Sequence, residues 1–196
     1  MNIVLFGGTF DPPHRTHQQM VATLLERGMF DQVWYVPVAV HDKDFIKKHM
    51  SSVEQRLAML ELVLRPQTKI DLYEIESGRE SFTHRTLREL RDKHPEHTFS
   101  WIMGSDQLEK LHLWRCDLDK ACFPQVLDEF DYYVYPRKGF PLDLPYKKLK
   151  VIEDVEPMPD SSTLIRQKMR SGGSISGLVI KEVEEYIKLN KLYLRS

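Results

Sequence analysis

Cysteine is nearly absent from this chain, with two residues, Cys116 and Cys122, among 196. Their spacing matches neither a metal-binding nor a redox pair, and so few do not make a disulfide framework. The expectation is therefore reduced thiols in a cytoplasmic protein. No apolar run approaches the roughly 18 residues that a membrane-spanning helix needs. Met1 leads straight into a strand-like run, with no basic-then-apolar targeting segment, so no membrane partner is expected. Neither sign of charge is in excess: 28 Lys and Arg face 29 Asp and Glu, a formal charge of -1. No basic stripe interleaves with aromatics, which argues against a nucleic-acid partner. Internal repeats, low-complexity tracts and linkers are missing. So are the G-x-G-x-x-G dinucleotide fingerprint and any metal-ligating cluster; His14 and His17 alone lack a third ligand.

What the chain does have is 41% hydrophobic and 29% charged residues, enough for a sizeable core. Its length fits a single domain, 1–196, whose C-terminal part turns helical from about residue 160. Ile3–Phe6, Val33–Val38, Ile70–Ile75, Phe99–Met103 and Tyr132–Tyr135 read as strands, with Val151-Ile152 a weak sixth. Helices fall between them. Ser52 and Gln55 form a capping box ahead of Val53, Leu57, Leu60 and Leu64 on one face. Thr83–Lys93 is stopped by Pro95, Asp160–Arg170 runs from good capping residues to Gly172-Gly173, and Val179–Leu189 is amphipathic. Lys138–Lys150, rich in Pro and Lys, reads as an insertion loop. Alternation of this kind predicts right-handed β-α-β crossovers and an α/β fold. The expected form is a Rossmann-like three-layer α/β/α arrangement around a mostly parallel five- or six-stranded sheet.

The stretch FGGTFDPPHRTH, from Phe6 to His17, follows the first strand directly. In an open α/β sheet, ligands bind beyond the carboxyl ends of the strands. Gly7 and Gly8 allow close backbone approach, and a helix beginning after them turns free N–H groups and a positive dipole end toward an anion. His14 and His17, three apart, share a face if that segment is helical, and their imidazole N–H groups suit phosphoryl oxygens. A Gly-Gly pair alone marks only a turn. A second segment adds weight: DSSTLIRQKMR, from Asp160 to Arg170, opens a helix with Ser161, Ser162 and Thr163. It carries Thr163, Arg166 and Arg170 at i, i+3 and i+7, a hydroxyl and two phosphate-suited guanidiniums on one face.

GGTFDPPHRTH resembles the GTFDPxHxGH motif of the nucleotidyltransferase superfamily, and SSTLIR resembles its S-S-T-x-I-R motif. MGSDQLEKLHLW (Met103–Trp114), SFTHRTLREL (Ser81–Leu90) and YPRKGFPL are similar to segments of the nicotinate/nicotinamide mononucleotide adenylyltransferases. These matches are collinear and span nearly the whole chain. There are two departures: Thr16 stands where the family has Gly, and Pro37–His49 lacks the P-P-H-K that bacterial members carry after the second strand. The resemblance implies an enzyme that joins a pyridine mononucleotide to AMP from ATP with release of pyrophosphate. It implies Gly8, Thr9 and Phe10 against ATP, Gly104 and Asp106 at the adenosine ribose, and Ser162 and Thr163 at the β- and γ-phosphates. His14, His17 and Arg166 are the implied catalytic group. Thr83, Trp114 and Arg137 are implied for the mononucleotide, with Lys47 and Lys48 as alternative phosphate partners. Mg²⁺ is expected to arrive with ATP. A phosphopantetheine or glycerol-phosphate acceptor, or a nucleotide-binding regulator without turnover, remains the alternative. A homo-oligomer is compatible with the sequence, which does not decide it.

Overall fold

A computed structural model describes residues 1–38, 50–117, 120–121, 123–157 and 161–194. The expectation for Lys47 and Lys48 therefore lies outside the described residues. Six strands form one sheet in the order β3-β2-β1-β4-β7-β8: β1 (Asn2–Gly8), β2 (Gln32–Pro37), β3 (Thr68–Ile70), β4 (Thr98–Gly104), β7 (Asp131–Tyr135) and β8 (Lys150–Val151). Every pairing is parallel. A separate antiparallel ribbon pairs β5 (Arg115–Asp117) with β6 (Lys120–Ala121).

Parallel strands are buried on both faces, which is why they read as unbroken apolar runs. Side chains alternate across β1: Val4 and Phe6 join one core with Val33, Tyr35 and Ile102, while Ile3 and Leu5 join the other with Trp34, Trp101 and Val134. Helices α1 (Arg15–Glu26), α2 (Val53–Glu61), α5 (Ser162–Arg170) and α6 (Lys181–Leu189) feed the first core through Met20, Leu24, Met59, Leu60, Ile165, Val183 and Ile187. Helix α4 (Thr83–Lys93) covers the second through Leu87 and Leu90. Strand order reverses between β1 and β4. β1 connects to the β2–β3 side and β4 to the β7–β8 side, so the carboxyl ends of β1 and β4 open a crevice.

Three sequence expectations are corrected and one element is added. Ile70–Ile75 is not a strand: β3 ends at Ile70 and Tyr73–Ser77 is a short helix, α3. Asp71 Oδ1 accepts the Tyr73 N–H at 3.0 Å, the side-chain turn that breaks the extended run. Of the face expected through Val53, Leu57, Leu60 and Leu64, only Leu60 is buried and Leu64 is exposed; α2 instead buries Arg56, Met59 and Leu60, followed by Val63 just past its end. The capping box itself is present, with Ser52 Oγ accepting from Gln55 N–H at 3.2 Å. Residues 105–113 form a 3-10 helix that the apolar pattern did not announce. Finally, Cys116 is disulfide-bonded, not a free thiol. No described helix is long and apolar enough to cross a membrane.

Candidate active site at the sheet switch point

The crevice is a cavity of about 410 Å³ at the ends of β1 and β4. Gly7–Phe10 enter it from β1, Met103, Gly104 and Asp106 from β4, and Arg137 from beyond β7. His14 and His17 stand at the mouth of α1, Thr83 at that of α4, and Ser161, Ser162 and Thr163 at that of α5; Trp114 adds an aromatic wall. Three helix N-termini thus face one space, a geometry suited to anions, although at α1 the Arg15 N–H is taken by the Leu178 carbonyl and at α5 the Leu164 N–H by Ser161 Oγ. The two phosphate-suited segments, about 150 residues apart in sequence, meet here in direct contact. Ser162 Oγ donates to the Pro12 carbonyl at 2.9 Å, and Arg166 Nη1 donates to the Asp11 carbonyl at 2.6 Å.

The glycines are explained by crowding. A Cβ on Gly7 would lie 2.2 Å from the Trp101 ring, and one on Gly104 would lie 2.3 Å from Asp106 Oδ1 and 2.6 Å from Arg137 Cδ. Phe10 adopts a left-handed φ of 48° and turns its ring edge-on to Phe6, Tyr35 and His17. Such a conformation persists only where neighbours over-determine it.

The histidines are arranged by α1. His14 is the N-cap, and its backbone N–H donates to His17 Nδ1 at 3.3 Å. With Nδ1 accepting, the proton of a neutral His17 sits on Nε2. The two rings stack at 3.7 Å. Burial, then the positive charge of Arg137, pushes the His14 pKa down to about 3; burial, then His14 and Arg137, holds His17 well below its usual value. Both imidazoles are therefore neutral at physiological pH, each offering one N–H. They bind protons more weakly folded than unfolded, so the unfolded chain takes up the extra protons. Stability is expected to fall as pH drops below about 6.5, by up to about 1.4 kcal/mol per pH unit for each imidazole. Thermal melts from pH 7.5 to 5 check this: the double variant His14→Ala/His17→Ala should show a shallower decline, and an unchanged slope refutes the assignment.

Several expected residues sit differently from the sequence reading. Arg166 does not line the cavity: it is 8% exposed, and its guanidinium is spent on the Asp11 carbonyl and on Thr163 Oγ1 at 3.1 Å. Arg170 is also outside the lining. The Ser162 hydroxyl is committed to Pro12, so the donors α5 offers to a ligand are the Ser162 and Thr163 N–H groups and the Thr163 hydroxyl, which accepts from Arg166 and keeps its own proton. Asp106 and Arg137 pair with each other at 3.2 Å across the ends of β4 and β7. Thr16 is buried at the cavity, and its hydroxyl has no hydrogen-bond partner.

Other contributors were not singled out from sequence. Arg56, 2% exposed, donates from Nη1 to the Thr9 carbonyl at 3.0 Å. The Asp11 carboxylate, fully buried, accepts from Ser51 N–H at 3.3 Å and from the Tyr193 hydroxyl at 2.6 Å. Glu74 lines the cavity; its Oε1 accepts from Thr86 Oγ1 at 2.7 Å beneath the α4 mouth, and burial raises its pKa. Arg56 alone left a trace, a charge at i−3 and i−4 from Met59 and Leu60. Among the described residues no group of three or more His, Cys, Asp or Glu is placed to hold a metal.

A parallel α/β sheet whose switch-point cavity is ringed by helix mouths and neutral histidines defines a nucleotidyltransferase-type protein. The chain belongs to the cytidylyltransferase-like family, whose model matches residues 5–168. Among its relatives, the nicotinate-nucleotide adenylyltransferase of Bacillus subtilis (strain 168) is 31% identical, over 97% of this chain and 97% of the relative. A protein of Flavobacterium johnsoniae named "Probable nicotinate-nucleotide adenylyltransferase" is 36% identical, over 98% of this chain and 99% of its own length. A solved structure of Plasmodium falciparum nicotinic acid mononucleotide adenylyltransferase complexed with NaAD shares the fold, with a TM-score of 0.74 at 21% identity. It covers 98% of this chain and 97% of that one.

Proposed function

We propose that this chain is a nicotinate-nucleotide adenylyltransferase: it transfers AMP from ATP to nicotinate mononucleotide and releases pyrophosphate, a step of NAD biosynthesis. The observation that carries the reading is the contact between the β1 loop and α5 over one cavity, Ser162 to Pro12 and Arg166 to Asp11, in a chain 31–36% identical to proteins of that name.

The chemistry needs no general base. The attacking group is a phosphate monoester whose second pKa is about 6, so its oxygen is already anionic at neutral pH. That oxygen forms a bond to the α-phosphorus of ATP, the α–β bridging bond breaks, and the electron pair leaves with pyrophosphate. Positioning two anions in line is the difficulty, and donors aimed at the transferring group reduce it. In this reading His17, with its proton on Nε2, donates to the α-phosphoryl oxygens, and His14 supports it. First-turn N–H groups at Ser162 and Thr163 hold the departing phosphates. Gly8, Thr9 and Phe10 pass the triphosphate along their backbone, while Gly104 and Asp106 meet the ribose. Arg166 acts by holding the β1 loop against α5. Mg²⁺ arriving with ATP would be held mainly by the phosphates and water rather than by a protein cage, and would supply charge neutralisation on the leaving group.

Thr83 at the mouth of α4, whose N-cap Phe82 supplies no capping side chain, leaves N–H groups for the ring carboxylate. Arg137 balances the mononucleotide phosphate. Trp114 faces the pyridinium ring. Trp114→Ala is expected to raise the KM for mononucleotide about 10- to 100-fold, as for a lost aromatic stack, with the KM for ATP changed under threefold. Equal rises in both would remove Trp114 from that role. The reading as a whole is tested by incubating the protein with Mg-ATP and either nicotinate or nicotinamide mononucleotide. Dinucleotide and pyrophosphate in equal amounts, faster with the acid, are expected; neither product at high enzyme concentration would sink it.

A further inference from the structure

The cavity's floor is tied to the far end of the chain. Helix α6 ends in a Schellman motif: Leu192 N–H bonds the Ile187 carbonyl and Lys191 N–H the Lys188 carbonyl. The left-handed position that such a motif usually gives to Gly is held by Lys191, at φ 52°, and Tyr193 is left-handed again at φ 61°. Two departures of this kind, one residue apart and both on residues with a Cβ, are strained and persist only where surrounding contacts over-determine them. The contacts are visible. Leu192 is buried in the core with Val183 and Ile187, and the Tyr193 ring packs against the same core. Its hydroxyl ends 2.6 Å from Asp11 Oδ1 and 3.9 Å from Met59 Sδ.

Asp11 lies in the loop that carries Gly8, Thr9 and Phe10 into the cavity. Polar atoms of that loop are held from α2, from α5 and from the C-terminal segment. Arg56 of α2 takes the Thr9 carbonyl, Arg166 of α5 takes the Asp11 carbonyl, and Ser162 takes the Pro12 carbonyl. The Asp11 carboxylate takes Ser51 N–H and the Tyr193 hydroxyl. The Tyr193 hydroxyl is the anchor supplied by the C-terminal segment, and the strained turn after α6 is what delivers it. A buried carboxylate needs its donors; without the phenol, Asp11 loses its shortest one.

We propose that Tyr193 is a positioning residue for nucleotidyl transfer: through the Asp11 carboxylate it fixes the Thr9–Pro12 loop against which the triphosphate lies. The role rests on the function proposed above, but the tether itself does not. It predicts that losing the hydroxyl lowers turnover and leaves mononucleotide affinity in place, in a chain that stays folded because Leu192 and the rest of α6 pack without it.

The experiment compares wild type, Tyr193→Phe and a Leu194→Ala control by steady-state kinetics with ATP and nicotinate mononucleotide, thermal melting, and amide hydrogen exchange of the free protein. For Tyr193→Phe, kcat should fall about tenfold, the loss expected when the loop that positions the triphosphate is loosened. The KM for mononucleotide should stay within twofold. Exchange should quicken at Thr9–Asp11 and Ser51 but not along β4, and Leu194→Ala should match wild type throughout. Unchanged exchange in Tyr193→Phe overturns the tether whether or not the protein forms dinucleotide. Faster exchange with unaltered kcat overturns the positioning role. Absence of dinucleotide from wild type instead defeats the proposed function, and the exchange comparison still decides the tether.

Discussion

Replacing His17 with alanine is expected to lower kcat by about 100- to 1,000-fold, the effect of removing one preorganised donor from a developing anion. The structure gives the reasons for a loss of that size. The His14 backbone N–H occupies Nδ1 and so assigns the proton to Nε2, while stacking on His14 and edge contacts with Phe6 and Phe10 hold the ring plane. On the proposed function, the donor is thus oriented before substrate arrives and needs little reorganisation at the moment of transfer. Because the ring is neutral in the empty site, it adds no charge that would hold pyrophosphate after the bond breaks. The fold should tolerate the change: His17 borders the cavity, and the α1 core contacts come from Met20, Val21 and Leu24. Single-turnover rates with saturating Mg-ATP and mononucleotide, alongside a thermal melt, are the measurement. A kcat within tenfold of wild type, about 1.4 kcal/mol, would remove His17 from the transferring group.

Much of the fold was legible because its signals are local. Buried parallel strands read as apolar runs, so β1, β2, β4 and β7 are where the sequence put them, and α4 begins and ends at the expected Thr83 and Lys93. The failure at Ile70–Ile75 is a failure of periodicity over six residues. Asp71 and a buried Glu74 supply polar alternation, but the Asp71 side chain turns the chain and Glu74 faces Thr86 from within a helix. The site divides the same way. Helix mouths announce themselves by Gly-Gly or Ser-Ser-Thr, since anion binding there uses the backbone of a few consecutive residues. The loop's supports do not. Asp11, Arg56 and Tyr193 meet across separations of 45 to 182 residues, and nothing in their immediate neighbours specifies the encounter. Arg166 shows the intermediate case. Its spacing from Thr163 correctly places the two on one face of α5, where they bond, but which way that face turns is decided by packing of Ile165 in the core.

The direction of that face matters for the second large prediction, Arg166→Met. Were Arg166 a phosphate ligand, its loss would raise the KM for ATP and leave the folded chain about as stable as before. The geometry instead makes it a tie. Its guanidinium is 8% exposed, it donates to the Asp11 carbonyl at 2.6 Å, and it joins α5 to the β1 loop beside the Ser162–Pro12 bond. Met keeps most of the side chain's apolar stem but leaves the Asp11 carbonyl and the Thr163 hydroxyl without their donor. One buried charge-assisted bond and a second, part-buried one together cost about 2–4 kcal/mol when lost. For a chain of this length that is a fall of about 5–15 °C in thermal midpoint. Turnover should fall with it, by about 100-fold, because the loop and α5 then no longer hold the α-phosphate and the departing phosphates in one frame, and displacement of about 1 Å is enough for such a loss. The discriminating observation is the pairing of the two effects below the melting transition. A lower midpoint with a lower kcat and a nearly unchanged KM for ATP fits the tie. An unaltered midpoint with a large rise in that KM would return Arg166 to the phosphates and make the bond to Asp11 a feature of the empty site alone.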